Sequence, residues 1–152
     1  MTHPKDADFE QVTPNDASPG KTSPELPEGP LEAIVISAPK TVRGRGRLVV
    51  SGAIRLRIGR FGESKHARLV RLVAVAPDGT AHVGPAIERR GSAWSDEGRA
   101  ATALSPSTVT SFFHTDIAEN LDAPRMPGLY CIHAFVGKLV SNGVLVELSE
   151  GR

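Results

Sequence analysis

Pro127-Gly128-Leu129-Tyr130-Cys131-Ile132-His133-Ala134-Phe135 is the clearest structural signal in this chain of 152 residues. A Pro-Gly turn opens a run in which Tyr130, Ile132 and Ala134 share one face of an extended backbone. A polar turn follows at residues 141–143, and a second alternating run occupies residues 144–148. Alternation with a period of two is typical of half-buried strands. The two runs therefore predict a β-hairpin.

Turn signals divide the preceding sequence into further strands. In residues 48–58 apolar side chains alternate with Arg55 and Arg57, which places the two arginines on one face. Gly52 within this run predicts a bulge or a bend. The other predicted strands span residues 31–37, 68–76, 81–86 and 107–114. A single helical turn is expected at residues 116–121.

These elements predict an all-β domain. The aromatic content is only 5%, so the core must consist of Val, Ile, Leu and Ala, which suit strands. We predict one antiparallel β-sandwich of about seven strands over residues 31–149. Residues 88–107 lack periodicity and contain the single tryptophan, Trp94, so we interpret them as a long loop. A jelly roll or another Greek-key sandwich would also accommodate this loop and is the alternative fold.

The sequence over residues 107–148 resembles the immunoglobulin-like class of sandwiches. The motif is a turn followed by Gly128-Leu129-Tyr130 at the start of the penultimate strand, which is similar to the tyrosine corner. The buried tryptophan and paired cysteines of antibody domains are missing, so the resemblance is to the broader class, such as fibronectin-like modules. It implies that Tyr130 is buried, with its hydroxyl bonded to the backbone of residues 120–127. It also implies binding rather than catalysis, by analogy of fold.

Residues 1–30 form a separate, acidic and proline-rich leader. Six acidic side chains oppose two lysines, a net charge of −4, and six prolines interrupt the segment. Few bulky apolar side chains are available to offset the entropy of ordering the backbone, so we predict that the leader is disordered. It is then either a passive solubilising tail or an arm that becomes ordered on a partner.

A basic cluster follows the leader. Residues 43–71 contain nine lysines and arginines against one acid, Glu63, a net charge of +8. Such a cluster attracts phosphates and carboxylates. A solvated outer face of the sandwich, in contact with the acidic leader, is the favoured explanation, because no aromatic residues accompany the arginines for base stacking. The candidate residues for binding nucleic acid or another polyanion are Arg43, Arg45, Arg47, Arg55, Arg57 and Arg60.

Cysteine and histidine usage gives no sign of a metal site. The single cysteine, Cys131, precludes an internal disulfide and favours a reducing compartment. Cys131 and His133 are two residues apart, without the spacing of a zinc site, so no metal or cofactor is predicted. The start of the chain has no apolar signal segment, and no apolar run approaches the ~20 residues of a membrane span. We therefore expect a cytoplasmic protein that does not bind membranes.

The function expected from these features is non-catalytic. No nucleophile or phosphate-binding motif is present, so we do not expect an enzyme. We predict a protein-interaction or assembly module that presents sandwich edges and loops to a protein partner or to itself. Its candidate contact residues are Trp94, Arg55 and Arg57, because aromatic and arginine side chains dominate binding hot spots. Binding of nucleic acid or another polyanion is the alternative.

Overall fold

A computed structural model of the chain describes residues 4–29, 31–57, 70–87 and 108–150. These ranges contain two short helices, α1 (Asp6–Phe9) and α2 (Ile117–Asn120), and nine strands. The strands are β1 (Ala33–Ser37), β2 (Thr41–Arg43), β3 (Val49–Arg57), β4 (Arg71–Val75), β5 (Ala81–Pro85), β6 (Thr108–Asp116), β7 (Gly128–Val136), β8 (Leu139–Val140) and β9 (Val144–Ser149). Seven of these strands overlap the segments predicted from the sequence, and β2 and β8 are additional, so the predicted count of about seven is not confirmed.

The strands form two sheets. The smaller sheet has the order β1-β3-β6, and the larger has the order β2-β9-β7-β4-β5, with β8 paired to the end of β7. All of these pairs are antiparallel except β2 with β9. The prediction of an all-β fold is confirmed, and the two sheets are consistent with the predicted sandwich.

The core lies between the two sheets. Ile54 and Leu56 of β3 contribute to it from the smaller sheet, and Leu72, Tyr130 and Ile132 from the larger. All five are fully buried. The alternation seen in the sequence therefore has its expected cause, because every second side chain of each strand faces the opposite sheet.

The pairing of β3 with β6 explains the glycine inside β3. The register runs without interruption from Val49 opposite Asp116 to Arg57 opposite Thr108, so the predicted bulge at Gly52 is absent. Gly52 pairs instead with Phe113, whose ring occupies the space that a side chain at Gly52 would need. The glycine is required for packing across the strand pair rather than for an irregular backbone.

Tyr130 makes the corner contact that the sequence predicts. Its side chain is fully buried, and its hydroxyl accepts a hydrogen bond from the backbone N–H of Met126 at 2.9 Å. The same hydroxyl donates to the carbonyl of Pro124. Between β6 and β7 the chain forms α2, where Asp116 Oδ1 accepts from the Ala118 N–H at 3.1 Å. This N-cap and the tyrosine fix the path of the chain from one sheet to the other.

The leader, for which the sequence predicts disorder, makes contacts with the domain. Residues 4–29 are described as part of the structure, with Phe9 and Thr22 buried. Asp6 accepts hydrogen bonds from the backbone N–H groups of Lys40 at 2.8 Å and Thr41 at 3.3 Å. Disorder of the leader is therefore not confirmed. Polar and backbone contacts, which composition does not reveal, supply its attachment to the domain.

Candidate interaction surfaces

The leader contacts the outer face of the smaller sheet. On this face Ser51 of β3 pairs with His114 of β6, and both are buried although they point away from the core. The leader also forms an isolated antiparallel bridge with β6. In it the Asn15 N–H donates to the His114 carbonyl at 2.7 Å, and the His114 N–H donates to the Asp16 carbonyl at 3.1 Å. The leader thus covers this face and satisfies backbone groups on β6.

A chain of hydrogen bonds ties the leader to this face. His114 Nε2 lies 2.8 Å from the Ser18 carbonyl, which can only accept, so Nε2 carries a proton, and we assign the tautomer that has its proton there. Nδ1 then accepts from the Ser51 hydroxyl at 2.7 Å, and Ser51 Oγ accepts from Thr22 Oγ1 at 2.7 Å. Each polar atom has a partner of the right kind. Such a satisfied buried network favours one fixed arrangement of the chain.

A serine that donates to a histidine is also the geometry of an activated nucleophile. Here the Ser51 side chain is 0% exposed, and both ring nitrogens of His114 are already bonded within the chain. No substrate reaches the hydroxyl in this arrangement, so the geometry supports a structural role. Ser111 and Asp116, which are close to His114 in sequence, do not join the network. Ser111 pairs with the inward-facing Ile54, and Asp116 caps α2.

A polar cleft of about 250 Å³ lies between the leader and His114. Its walls include Asp8, Asp16 and Lys21. The pKa of Asp8 is lowered from its usual value, first by the hydrogen bond from the Lys5 N–H to Oδ2 at 2.8 Å and then by the Lys21 ammonium at 3.2 Å. The Lys21 ammonium therefore offsets the charge of the Asp8 carboxylate, whereas the second carboxylate of the cleft, Asp16, accepts a hydrogen bond from the Ser18 N–H at 3.2 Å.

The structure divides the arginines of the predicted basic cluster between the two sheets. Arg43 belongs to β2 of the larger sheet, whereas Arg55 and Arg57 belong to β3 of the smaller one. Arg45 and Arg47 lie in the connection between these strands and are exposed. The described arginines thus do not share a single strand face. Two predicted contact residues, Trp94 and Arg60, lie outside the described residues.

Two of these arginines bind the chain's own backbone. Arg55 donates from Nε to the Leu31 carbonyl at 2.7 Å and from Nη2 to the Pro27 carbonyl at 2.8 Å. Arg47 donates from Nη2 to the Glu10 carbonyl at 2.8 Å. The guanidinium groups hold the leader and its junction with β1, in contacts with carbonyl oxygens rather than with the leader's carboxylates.

The outer face of the larger sheet is apolar. Among the described residues six large apolar side chains are exposed, and five of them lie on this face, with exposed fractions between 37% and 59%. The sixth, Leu31, precedes β1 of the smaller sheet and is 74% exposed. The register aligns these five with partly buried apolar neighbours. We name this surface the apolar face; its apolar residues are Val73, Val75, Val83, Leu129, Cys131, Phe135, Val140 and Leu145, and they surround the partly buried His133 of β7, which lies opposite Val73.

Comparison with known proteins assigns no family. No protein-family model and no curated protein sequence matches the chain. Within the described ranges, His, Cys, Asp and Glu side chains form no group of three that could hold a metal ion. Neither described helix is long and apolar enough to cross a membrane. The surfaces themselves are therefore the basis for any proposal about function.

Proposed function

We propose that this chain is a non-catalytic protein-interaction module that binds another protein chain through the apolar face. The observation that carries the proposal is the concentration on one sheet of five exposed side chains: Val75, Val83, Leu129, Val140 and Leu145. Isolated exposed hydrophobic residues are ordinary, whereas a contiguous apolar patch is typical of a binding surface. Full burial of one such side chain contributes about 1.5–3 kcal/mol, so a few of them supply useful affinity.

An immunoglobulin-like sandwich is the fold that we propose for this module. The order β1-β3-β6 corresponds to strands A, B and E of that class, and β9-β7-β4-β5 corresponds to G, F, C and C′. Tyr130 near the start of β7 then occupies the tyrosine-corner position of strand F. Because a fold of this class does not by itself determine function, the apolar face rather than the fold carries the proposal.

Binding of nucleic acid through the arginines is the weaker alternative. Arg47 and Arg55 donate to carbonyl oxygens of the chain, and the remaining described arginines of the cluster are split between β2, β3, their connection and β4. Polyanion binding needs several cations that face one backbone of phosphates at the same time. The apolar face requires no rearrangement of the leader, so it supports the interaction function more directly.

Affinity capture with matched variants tests the proposal. Leu145→Asp and Val83→Asp place a charge in the apolar face, and Leu31→Asp places the same charge at an exposed leucine elsewhere. We expect Leu31→Asp to retain the proteins captured by the unmodified chain, and the other two variants to lose them. A loss of about 2 kcal/mol corresponds to a roughly 30-fold drop in affinity. If the unmodified chain and all three variants capture the same proteins equally, the apolar face is excluded as the binding surface.

A further inference from the structure

The apolar face carries one charge at each of two opposite corners. Arg71 on β4 lies in the row of Phe135, and Glu147 on β9 lies in the row of Leu129. β7 lies between β4 and β9, so Arg71 and Glu147 are on opposite sides of β7. They also lie at opposite ends of the outward-facing residues of β7, which run from Leu129 to Phe135. Both side chains are exposed. Arg43 on the edge strand β2 lies one row beyond Glu147, at the margin of the face.

We infer that the occupant of the apolar face is a second copy of this chain, an inference that rests on the proposed function. A two-fold axis in the plane of the face brings identical surfaces together, so every contact occurs twice. The diagonal arrangement lets Arg71 of one copy meet Glu147 of the other, and the reverse, while the apolar rows stack between them together with His133, the one polar side chain of β7 on this face. The face is thus complementary to itself in the charges at its corners, and two largely apolar surfaces meet between them.

The area of the face fits a weak dimer. Four strands about 4.8 Å apart, with four outward positions about 6.8 Å apart, give roughly 500 Å² for each copy. Two copies would therefore bury about 1,000 Å² in total, near the lower limit for a specific interface. This size predicts a dimer that dissociates on dilution rather than a permanent one. Among the described residues the other sheet shows no comparable group of exposed apolar side chains, and the leader contacts its buried outer residues Ser51 and His114.

Sedimentation velocity of the full chain over about 1 to 500 µM provides the first test, because a dimer of this size should form within that range. We expect the unmodified chain and Leu31→Asp to shift from monomer towards dimer, and Leu145→Asp and Val83→Asp to remain monomeric. Far-ultraviolet circular dichroism checks that each variant is folded. A chain that stays monomeric throughout overturns the inference. A dimer that persists in both apolar-face variants overturns it too.

Charge exchange gives the sharper test. Arg71→Glu alone and Glu147→Arg alone each place like charges opposite one another twice, and each should raise the dissociation constant of the dimer at least about fivefold. An equimolar mixture of the two variants should form a heterodimer, because every contact then joins opposite charges. Equal dimerisation of the single variants and the mixture would overturn this arrangement. If the chain does not dimerise, affinity capture of other proteins still tests the proposed function separately.

Discussion

The ring of Phe113 on β6 lies across Gly52 of β3, where an added Cβ would come within 2.0 Å of Phe113 Cζ. The two residues are directly paired in the register, and Phe113 is fully buried. Gly52→Ala must therefore displace the ring or separate the strands. We expect a loss of about 1–3 kcal/mol in the free energy of unfolding, the usual cost of overpacking, measured by chemical denaturation.

Gly20 provides a control for this substitution. A Cβ at Gly20 would make only ordinary contacts, at 3.8 Å, with the ring of His114. Gly20→Ala should be close to neutral in stability. Phe113→Leu combined with Gly52→Ala should recover part of the loss, because the smaller side chain relieves the clash. Wild-type stability of Gly52→Ala would show that the ring does not occupy this position.

Tyr130→Phe tests the corner between β6 and β7. Its hydroxyl both accepts from the Met126 N–H and donates to the Pro124 carbonyl, so the substitution leaves two backbone groups without a partner. We expect a loss of about 1–3 kcal/mol in stability, with no change in the denaturant dependence of unfolding. An undiminished stability would remove the tyrosine from the support for an immunoglobulin-like fold.

Local patterns were sufficient to predict most of the strands. Alternation and turn residues act over a few positions, and β3, β7 and β9 follow them closely. The attachment of the leader could not be predicted in this way. It depends on hydrogen bonds such as Thr22 with Ser51, 29 residues apart, and His114 with Ser18, 96 residues apart. The amino-acid composition reflects the number of apolar side chains, but it does not reveal hydrogen bonds between residues that are distant in the sequence.

The sequence contains the residues of the apolar face but does not show that they are exposed. Residues 68–76 are apolar on both sides, which is also what a strand covered on both faces shows. The structure makes β4 an inner strand of its sheet, yet Val75 is exposed. Arg55 is the opposite case, because the sequence predicts a surface side chain and the structure gives it partners within the chain. Alternation placed it on an outward face, but only the fold shows that its guanidinium binds the Leu31 and Pro27 carbonyls.

Ser51→Ala should loosen the leader. The substitution removes the hydroxyl that links Thr22 to His114 and leaves Nδ1 of the ring without its donor. We expect faster cleavage of the leader in limited proteolysis and a loss of about 1–3 kcal/mol in stability. Ser111→Ala is the matched control, because Ser111 is buried in the same sheet with a hydroxyl that has no hydrogen-bond partner in the described structure. It should be neutral or stabilising.

Asp8 should make the structure of the leader itself sensitive to acid, because its partners Lys5 and Lys21 both belong to the leader. Its pKa in the folded chain lies below the usual 3.8, mainly because of the hydrogen bond from the Lys5 N–H, with help from Lys21. Its contribution to stability is therefore complete above that usual value and disappears as the pH falls through the folded pKa. Nuclear magnetic resonance titration of the Asp8 carboxyl should show the depression, and Lys21→Gln should reduce it. An Asp8 pKa at its usual value would contradict the contact.

Substitution of Arg55 distinguishes a structural role of the arginines from a role in binding polyanions. If it serves to hold Leu31 and Pro27, Arg55→Ala should accelerate proteolysis of the leader and leave any affinity for nucleic acid unchanged. Arg57→Ala, which removes an exposed arginine two positions further along β3, is the control and should not affect proteolysis. We expect no binding of duplex DNA tighter than about 1 µM at roughly 150 mM salt, because non-specific contacts are typically ~10⁻⁴–10⁻⁶ M there. Tighter binding that weakens in both variants, with a flatter dependence on salt, would instead assign the cluster to phosphates, since each lost contact reduces the log–log slope by about 0.9.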